Sequence, residues 1–467
     1  MSNKPLSLTR RQFGLSLSAS AAAWSAVPPA APAPWMGPAI VRKVYLAKPQ
    51  PTWPRPDLDF QQEIASIEPR LAEIERKHAG RIRFVGGELL KVGDEVSAWA
   101  RGLESVDGVL VIDLTSGIGP LLQQLHTVDV PMLLFARPYS GWAYVDFAKW
   151  RQQGKRVELV ASSEFGDLDL YMRVFETIHH LKRTKILVAA PGDGGRATAE
   201  AFTKQFGTSF QFISYQDIQA AYNAADVAQA KKDAEEFARR AVRVVEPSPQ
   251  DITNAMRLYY GIKSILEREK ANAITIDCLG GFRRGELPAY PCVTWSRLND
   301  EGFYGVCEAD LPATMTQILL TAFSGKPAFV SDPVFDTSRS ELLHAHCVSA
   351  TAINGIGGAS MPYVVRSHME DNKGVSLQVL VPVGEAVTVA KFSGAKKLLV
   401  SAGQVTGNVD ADRGCRTKFR TRVAGVRNML QNYSGGLHRV VVWGDYIEPL
   451  DAMSHLMGFQ VVDETKA

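Results

Sequence analysis

Apolar and polar positions along the chain follow two different patterns. Up to residue 340, short apolar runs such as 107–113 alternate with stripes in which every third or fourth residue is apolar, as in 57–77. Beyond residue 340, short alternating runs such as 386–392 and 439–443 take over. The first pattern predicts parallel sheets covered by helices, and the second pattern predicts antiparallel strands. We therefore predict an α/β protein with two Rossmann-like parallel-sheet domains followed by a β-rich, mostly antiparallel C-terminal domain.

The predicted division of the chain has four parts. Near the N-terminus the paired Arg10 and Arg11 are followed by Phe13 and a weakly apolar stretch. This combination is typical of a twin-arginine export signal and predicts a periplasmic or secreted protein, with a flexible basic tail as the alternative. The four parts are an export signal and linker at 1–38, an N-terminal α/β domain at 39–181, a middle α/β domain at 182–340 and the β-rich domain at 341–467.

Composition narrows the classes of partner. The 467 residues are 46% hydrophobic and 22% charged, which is an ordinary globular balance. A net charge of +3 gives no reason to expect nucleic acid. Beyond the first few dozen residues no apolar run of about 18 residues is present, so we expect no transmembrane segment. The five cysteines include no C-x-x-C pair, which predicts buried thiols and not a zinc ribbon.

The most informative stretch lies at 303–336. An apolar run at 303–307 stops at Glu308, a helical stripe begins near residue 312, and a second apolar run stops just before Asp332. This order predicts a strand–helix–strand unit with parallel strands, which would bring both carboxylates to one edge of a sheet. Two such carboxylates repel unless a cation or a proton lies between them, so a hard divalent metal is expected. Helix capping or exposure to solvent is the alternative.

Histidines and one further acid are candidates for the same site. His438 precedes the run at 439–443, and His344 and His346 are two residues apart, so they share a face if they lie in a strand. Asp277 ends an apolar run in the same way as Glu308. For the histidines the alternatives are a surface position for His438 and satisfied core positions for the other two.

Two further patterns predict surfaces. The loop after residue 135 carries Tyr139, Trp142 and Tyr144, which can stack on a sugar or pack at a domain interface. In the segment 416–422 four cationic side chains alternate with other residues and would share one face of a strand. A solvated face or a subunit contact is expected there, and an anionic sugar is the alternative.

Four short strings resemble the L-fucose and L-arabinose isomerase family. The two carboxylates lie 24 residues apart (332 minus 308), which also fits the family. The resemblance implies metal-dependent aldose–ketose interconversion at a Mn²⁺ site, with Mg²⁺ as the other expected ion, and a homo-oligomer. The strings are CEAD at 307–310, FVSD at 329–332, GGLH at 435–438 and VWGD at 442–445.

The resemblance also assigns roles to residues of this chain. Glu308, Asp332 and His438 are the expected metal ligands, and Glu308 or Asp332 is the expected base in an ene-diolate mechanism. The expected sugar contacts are His346, Trp295, Arg297, Trp443 and Asp277. For the two tryptophans and the arginine, packing in the protein interior is the alternative.

The sequence departs from the family in two respects. No glutamate follows Asp277 until Glu286, although the arabinose isomerases carry one near the metal in this region. The export signal is also unusual for enzymes of free-sugar catabolism. Two alternatives therefore stay open: an exported metal-dependent glycoside hydrolase that uses the same Glu/Asp/His site, and a non-catalytic sugar-binding protein.

Overall fold

A computed structural model describes residues 36–466 of the chain. The predicted export signal lies outside the described residues. Within them, no helix is both long and apolar enough to cross a membrane.

The N-terminal domain is a five-stranded parallel sheet with helices on both faces, as the sequence predicts. Its strand order is β2-β1-β3-β4-β5, so the first strand lies inside the sheet and the chain winds outward in two directions. A 3-10 turn at Phe165–Leu168 precedes the last helix. The elements are β1 (Ala39–Leu46), α1 (Phe60–Lys77), β2 (Ile82–Leu90), α2 (Gly93–Ala100), β3 (Gly108–Asp113), α3 (Gly119–Leu125), β4 (Met132–Ala136), α4 (Ala143–Gln152), β5 (Val157–Ala161) and α5 (Asp169–Arg183).

The middle domain is built around a second parallel sheet. Its four strands have the order β10-β9-β6-β7, which confirms the second α/β domain. The elements are β6 (Lys185–Ala189), α6 (Arg196–Phe206), β7 (Ser209–Phe212), α7 (Tyr215–Ala224), α8 (Val227–Arg240), β8 (Arg243–Val244), α9 (Pro249–Arg268), β9 (Ala273–Ile276), α10 (Cys278–Arg283), α11 (Cys292–Asp300), β10 (Tyr304–Cys307) and α12 (Leu311–Ser324).

The C-terminal domain is a mostly antiparallel barrel, which confirms the β-rich prediction. The barrel runs β15-β18-β11-β12-β17-β16 and closes because β15 and β16 also pair; β19 extends β16 in parallel. A small sheet joins β14 and β13 to β8 of the middle domain. The elements are β11 (Phe329–Asp336), β12 (Glu341–His346), β13 (Tyr363–Arg366), β14 (Ser376–Val379), β15 (Ala386–Phe392), β16 (Lys397–Asn408), β17 (Thr417–Arg422), α13 (Val426–Gln431), β18 (Arg439–Trp443), α14 (Ile447–Met457) and β19 (Gln460–Asp463).

The prediction of a parallel strand–helix–strand unit is wrong for the second strand. β10 pairs in parallel with β9, but β11 pairs antiparallel with β12 and β18 inside the barrel. The helix between them explains the difference, because α12 is buried on almost every side and packs against both α5 and β15. A helix covered all round does not need to return the chain to the sheet that it left. Instead α12 joins the sheet to the barrel.

The termini of α12 nevertheless follow the sequence signals. Asp310 caps the helix by accepting from the Ala313 N–H at 2.8 Å, and Pro312 lies in its first turn. Gly325 ends it with φ +73°, a left-handed conformation that glycine adopts without strain. The Phe392 N–H donates to Thr316 Oγ1 at 2.9 Å and ties the middle of the helix to the barrel.

The cationic strand presents a solvated face only at its C-terminal end. Arg416 and Lys418 are 2% and 6% exposed, whereas Arg422 is exposed. The Arg416 guanidinium donates to the Ser367 carbonyl oxygen at 2.8 Å, and Lys418 Nζ donates to the Cys415 carbonyl oxygen at 2.9 Å. The period-two pattern placed these side chains on one face correctly, but for its first two members that face is covered by the small sheet and its loops.

Candidate metal centre

Glu308 stands at the carboxyl end of β10 in a strained backbone. Glu308 and Ala309 have φ values of +64° and +51°, a left-handed region that residues with a side chain rarely adopt. Each such residue costs on the order of 1–3 kcal/mol and is commonly found at functional sites. The Ala309 N–H donates to the Ile276 carbonyl oxygen at 3.1 Å and holds the turn against β9. The strain turns the Glu308 side chain out of the sheet towards the barrel.

Asp310 fixes the orientation of His438. The Nδ1 atom of His438 donates to Asp310 Oδ2 at 2.8 Å, and the buried Lys391 donates its Nζ proton to the same oxygen at 2.5 Å. A carboxylate that accepts from one ring nitrogen leaves the other nitrogen free as a ligand, which is the usual arrangement for histidines that bind metals. The imidazole thus presents Nε2 to the carboxylates of the candidate site.

Four side chains converge at this point between the sheet and the barrel. His438 Nε2 lies 3.4 Å from Glu308 Oε2 and 3.4 Å from Asp332 Oδ1. His346 Nε2 lies 3.9 Å from Glu308 Oε1, and ligand atoms of Glu308, His346 and His438 all fall within 4.8 Å of one another. Asp332 joins the group through His438. The structure therefore brings together the three predicted metal ligands and His346.

Exposure differs between the two kinds of side chain. The His346 and His438 side chains are 4% and 5% exposed, whereas those of Glu308 and Asp332 are 31% and 28% exposed. The imidazoles form the floor of the site, and the carboxylates face the solvent side, from which an ion or a substrate would enter.

The donor set fits a hard divalent cation. Asp332 Oδ1 and His438 Nε2 are buried atoms without a hydrogen-bond partner in the part of the chain that the structure describes. An unpaired buried polar atom costs about 1–3 kcal/mol, and a cation between Glu308, Asp332 and His438 would remove that cost. Two carboxylates with one imidazole suit Mn²⁺ or Mg²⁺ better than a structural zinc site.

His346 is placed as a donor. Its Nδ1 accepts from the Cys347 N–H at 2.8 Å, so the neutral ring carries its proton on Nε2. That proton points towards Glu308 and has no hydrogen-bond partner among residues 36–466. Metal ligation by His346 would require the ring to turn over, whereas a hydrogen bond to a substrate oxygen requires no change.

His344 is a satisfied core residue. It bonds Ser331 Oγ through Nδ1 and Thr421 Oγ1 through Nε2, both at 3.0 Å, and stacks on Phe419. Burial lowers its pKa to about 3, so it stays neutral.

The carboxylates and His438 shift one another's pKa values. The neighbouring His438 imidazole lowers the pKa of Glu308, and burial raises the pKa of Asp332. Although burial raises the pKa of Asp310, its bonds to His438 and Lys391 hold the pKa far below the usual range. Burial lowers the pKa of His438, but the hydrogen bond to Asp310 and the negative charges of Asp310 and Glu308 outweigh it and raise that pKa to about 9.

Both predicted tryptophan contacts lie in the core. Trp295 is 0% exposed and donates its Nε1 proton to Cys307 Sγ at 3.2 Å, and its ring packs against Gly305. Trp443 is 1% exposed and faces Phe419 across 6.0 Å. The structure does not bring either ring to the surface of the site, and packing accounts for both.

Arg297 and Asp277 are engaged elsewhere. The Nη1 atom of Arg297 lies 3.3 Å from Asp233 Oδ2, and its Cζ atom lies 4.1 Å from the centroid of the Tyr259 ring. Asp277 is next to Glu308 along the sheet edge, because Ile276 pairs with Cys307. Its side chain caps α10 and pairs with Arg284 at 3.3 Å.

Two residues of the centre were not predicted from the sequence. Asp310 was visible only as a polar stop before a helix, and Lys391 as a cation in an otherwise apolar strand. A lysine in the middle of a buried strand requires an anionic partner. That signal could have indicated a buried carboxylate, but not which one.

No protein-family model and no curated protein matches this sequence. The resemblance to sugar isomerases therefore depends on the four short strings, and a function has to be argued from the site itself.

Proposed function

We propose that the protein is a metal-dependent aldose–ketose isomerase that acts on a small free sugar. The observation that supports this most directly is the convergence of Glu308, Asp332 and His438 with unpartnered atoms on Asp332 and His438. These three residues would hold Mn²⁺, with Mg²⁺ as the other candidate. When bound, the ion supplies a Lewis acid that polarises substrate oxygens.

The two carboxylates would have different roles. The lowered pKa of Glu308 keeps it ionised at neutral pH, so it could remove a proton from the carbon next to the sugar carbonyl and return it to the neighbouring carbon. Asp332 would hold the ion in its ionised form, because metal ligands bind unprotonated.

His346 would bind the substrate. Its Nε2 proton faces the space beside Glu308, where it can donate to a sugar hydroxyl or carbonyl oxygen. We also propose a homo-oligomer and export by the twin-arginine pathway, which follow from the resemblance and from the paired arginines respectively.

The test is an assay of the purified protein, loaded with Mn²⁺, on a panel of free aldoses and aryl glycosides. The proposal predicts ketose formation that Glu308→Gln abolishes and that the matched variant of the exposed Glu104, Glu104→Gln, retains. Ketose formation that survives in Glu308→Gln would contradict the assigned base. No turnover of any free sugar by metal-loaded protein would overturn the isomerase proposal.

A second candidate, a glycoside hydrolase that uses the same centre, is favoured by a separate observation. Tyr139 and Trp142 are 75% and 50% exposed, and Trp53 stacks on Trp142 with ring centroids 5.4 Å apart. Exposed aromatic faces of this kind bind sugars by stacking, and the domain-interface alternative does not account for their exposure. Release of the aryl alcohol without any ketose in the same assay would favour the hydrolase.

A further inference from the structure

A second group of metal-ligating side chains lies beside the carboxylate–histidine centre. Ligand atoms of Cys292, Cys347 and His368 fall within 4.8 Å of one another. The three residues come from distant parts of the sequence, since Cys292 begins α11, Cys347 follows β12, and His368 follows β13. The fold therefore builds this group at the junction of the middle domain, the barrel and the small sheet.

The group is buried and chemically soft. Cys292 and Cys347 are 3% and 2% exposed, and His368 is 8% exposed. All five cysteines of the chain are free thiols. The Nδ1 atom of His368 has no hydrogen-bond partner within the described range, and its nearest carboxylate oxygen, on Asp371, is 3.6 Å away. Two thiols and an imidazole whose Nδ1 atom lacks a hydrogen bond form a ligand set for a soft or borderline metal ion.

We infer that Cys292, Cys347 and His368 form a thiolate-rich site for a zinc-class ion, separate from the Mn²⁺ centre. Zinc binds thiolate sulfur at about 2.3 Å and imidazole nitrogen at about 2.0 Å in a tetrahedral arrangement. That geometry places neighbouring ligand atoms about 3.5–3.8 Å apart. Ligand atoms already within 4.8 Å of one another need only a small inward movement to reach it.

Cys415 is a neighbour of both centres, because its Sγ atom lies 3.9 Å from Asp332 Oδ2. It would become a fourth ligand after a movement of its side chain, since its sulfur lies outside the group of ligand atoms within 4.8 Å of one another. A four-ligand Cys₃His set is typical of structural zinc sites. The zinc-class ion would hold the loop after β12 in place, and with it His346, which immediately precedes Cys347.

The surroundings support anionic thiolates. Lys418 is 6% exposed and donates to the carbonyl oxygen of Cys415 at 2.9 Å, so a buried cation lies beside the thiols. The Tyr290 ring covers His368 with ring centroids 5.1 Å apart. The positive charge favours the ionised form of cysteine, which is the form that binds metals, whereas burial of the thiols acts against it until an ion is bound.

This inference does not depend on the isomerase proposal. Binding of Co²⁺ distinguishes the thiol site from the carboxylate–histidine centre. Co²⁺ bound by thiolate gives an intense sulfur-to-metal charge-transfer absorption, whereas Co²⁺ bound by carboxylate and imidazole does not. Metal-free protein titrated with Co²⁺ should develop this band in the wild type and in Glu308→Gln. The band should be strongly weakened in Cys292→Ser and in Cys347→Ser, because each change removes one thiolate ligand, and added Zn²⁺ should abolish it by displacing Co²⁺. Cys278→Ser is the matched control, because its thiol faces Cys307 at 3.5 Å and should not affect the band.

Two further measurements use proteins in which no cysteine is changed. They therefore do not depend on whether the cysteine variants fold. X-ray absorption of the zinc-loaded Glu308→Gln protein should show sulfur at about 2.3 Å from zinc. A thiol count on freshly purified, denatured wild type should find all five cysteines reduced. A zinc shell of oxygen and nitrogen alone, a missing charge-transfer band in fully reduced wild type, or a disulfide between Cys292 and Cys347 would each overturn the inference.

Discussion

The Nδ1 atom of His438 lies 2.8 Å from Asp310 Oδ2, and this one bond determines which ring nitrogen faces the candidate metal centre. Asp310 also accepts a hydrogen bond from Lys391 of the barrel and caps α12, the helix that leaves the parallel sheet. The same carboxylate thus connects the strained end of β10, the barrel and the imidazole ligand.

Replacing Asp310 by asparagine should weaken Mn²⁺ binding. The amide oxygen can still cap α12, but the negative charge that orients His438 and offsets the buried Lys391 is lost. Loss of a carboxylate that orients a ligand histidine typically lowers metal affinity by about 10–100-fold. Calorimetric titration with Mn²⁺ measures the change. Asp336→Asn, at the half-exposed end of β11, is the control and should bind as the wild type does. Equal affinity in Asp310→Asn would contradict the role of this bond.

Mn²⁺ binding should release a proton from His438. Without metal its pKa is raised to about 9, so the ring is protonated at pH 7, whereas a ligand nitrogen must be unprotonated. The affinity should therefore rise by about tenfold for each pH unit between pH 7 and 8, and should level off above pH 9. Titrations in buffers with different heats of ionisation count the released protons. Affinity that does not change over this range would mean that His438 is not a ligand.

Glu176 should make the fold less stable as pH rises from about 4.5 to 7. Burial raises its pKa to about 7, and the Arg81 guanidinium at 3.6 Å compensates only in part. An acid with a raised pKa in the folded state binds its proton more tightly there than in the unfolded chain. Its stabilising effect is therefore present at low pH and is lost as pH rises from about 4.5 to 7, by roughly 3 kcal/mol.

Glu176→Gln tests this linkage, because the variant cannot ionise. The free energy of unfolding of the variant relative to wild type should increase between pH 5 and pH 8, as measured by urea denaturation at both values. Glu104→Gln on the surface should show no such change. A constant difference between variant and wild type would show that Glu176 does not titrate in this range.

The ion pair of Arg439 and Glu464 should be important for stability. Both side chains are buried, at 0% and 2% exposure, and two bonds of 2.8 and 3.0 Å join them. Arg439 also donates to the carbonyl oxygens of Ser434, Gly436 and His438, so it holds the turn that carries the imidazole ligand.

Glu464→Gln leaves the guanidinium charge buried without its partner. We expect a loss of about 3–5 kcal/mol in the free energy of unfolding, the usual result of breaking a buried pair from one side. Glu448→Gln, at an exposed position of α14, should change stability little. A loss below about 1 kcal/mol for Glu464→Gln would indicate that water reaches Arg439.

Local patterns in the sequence determined most of the secondary structure. The limits predicted for the strands at 386–392 and 439–443 agree with β15 and β18. The helix limits around α12 follow from Asp310, Pro312 and Gly325. These features depend on near neighbours, through side-chain period, capping and the conformational freedom of glycine, and a sequence displays near neighbours directly.

The sequence by itself also determined the candidate ligands, because carboxylates at strand ends and a histidine beside a strand are visible without a fold. Only the tertiary structure decided how Glu308 and Asp332 meet, since α12 passes from the sheet into the barrel. It also decided that Asp310 orients His438, that both tryptophans are core residues, and that Cys292, Cys347 and His368 converge. Each depends on contacts between residues far apart in the chain, which local pattern does not encode.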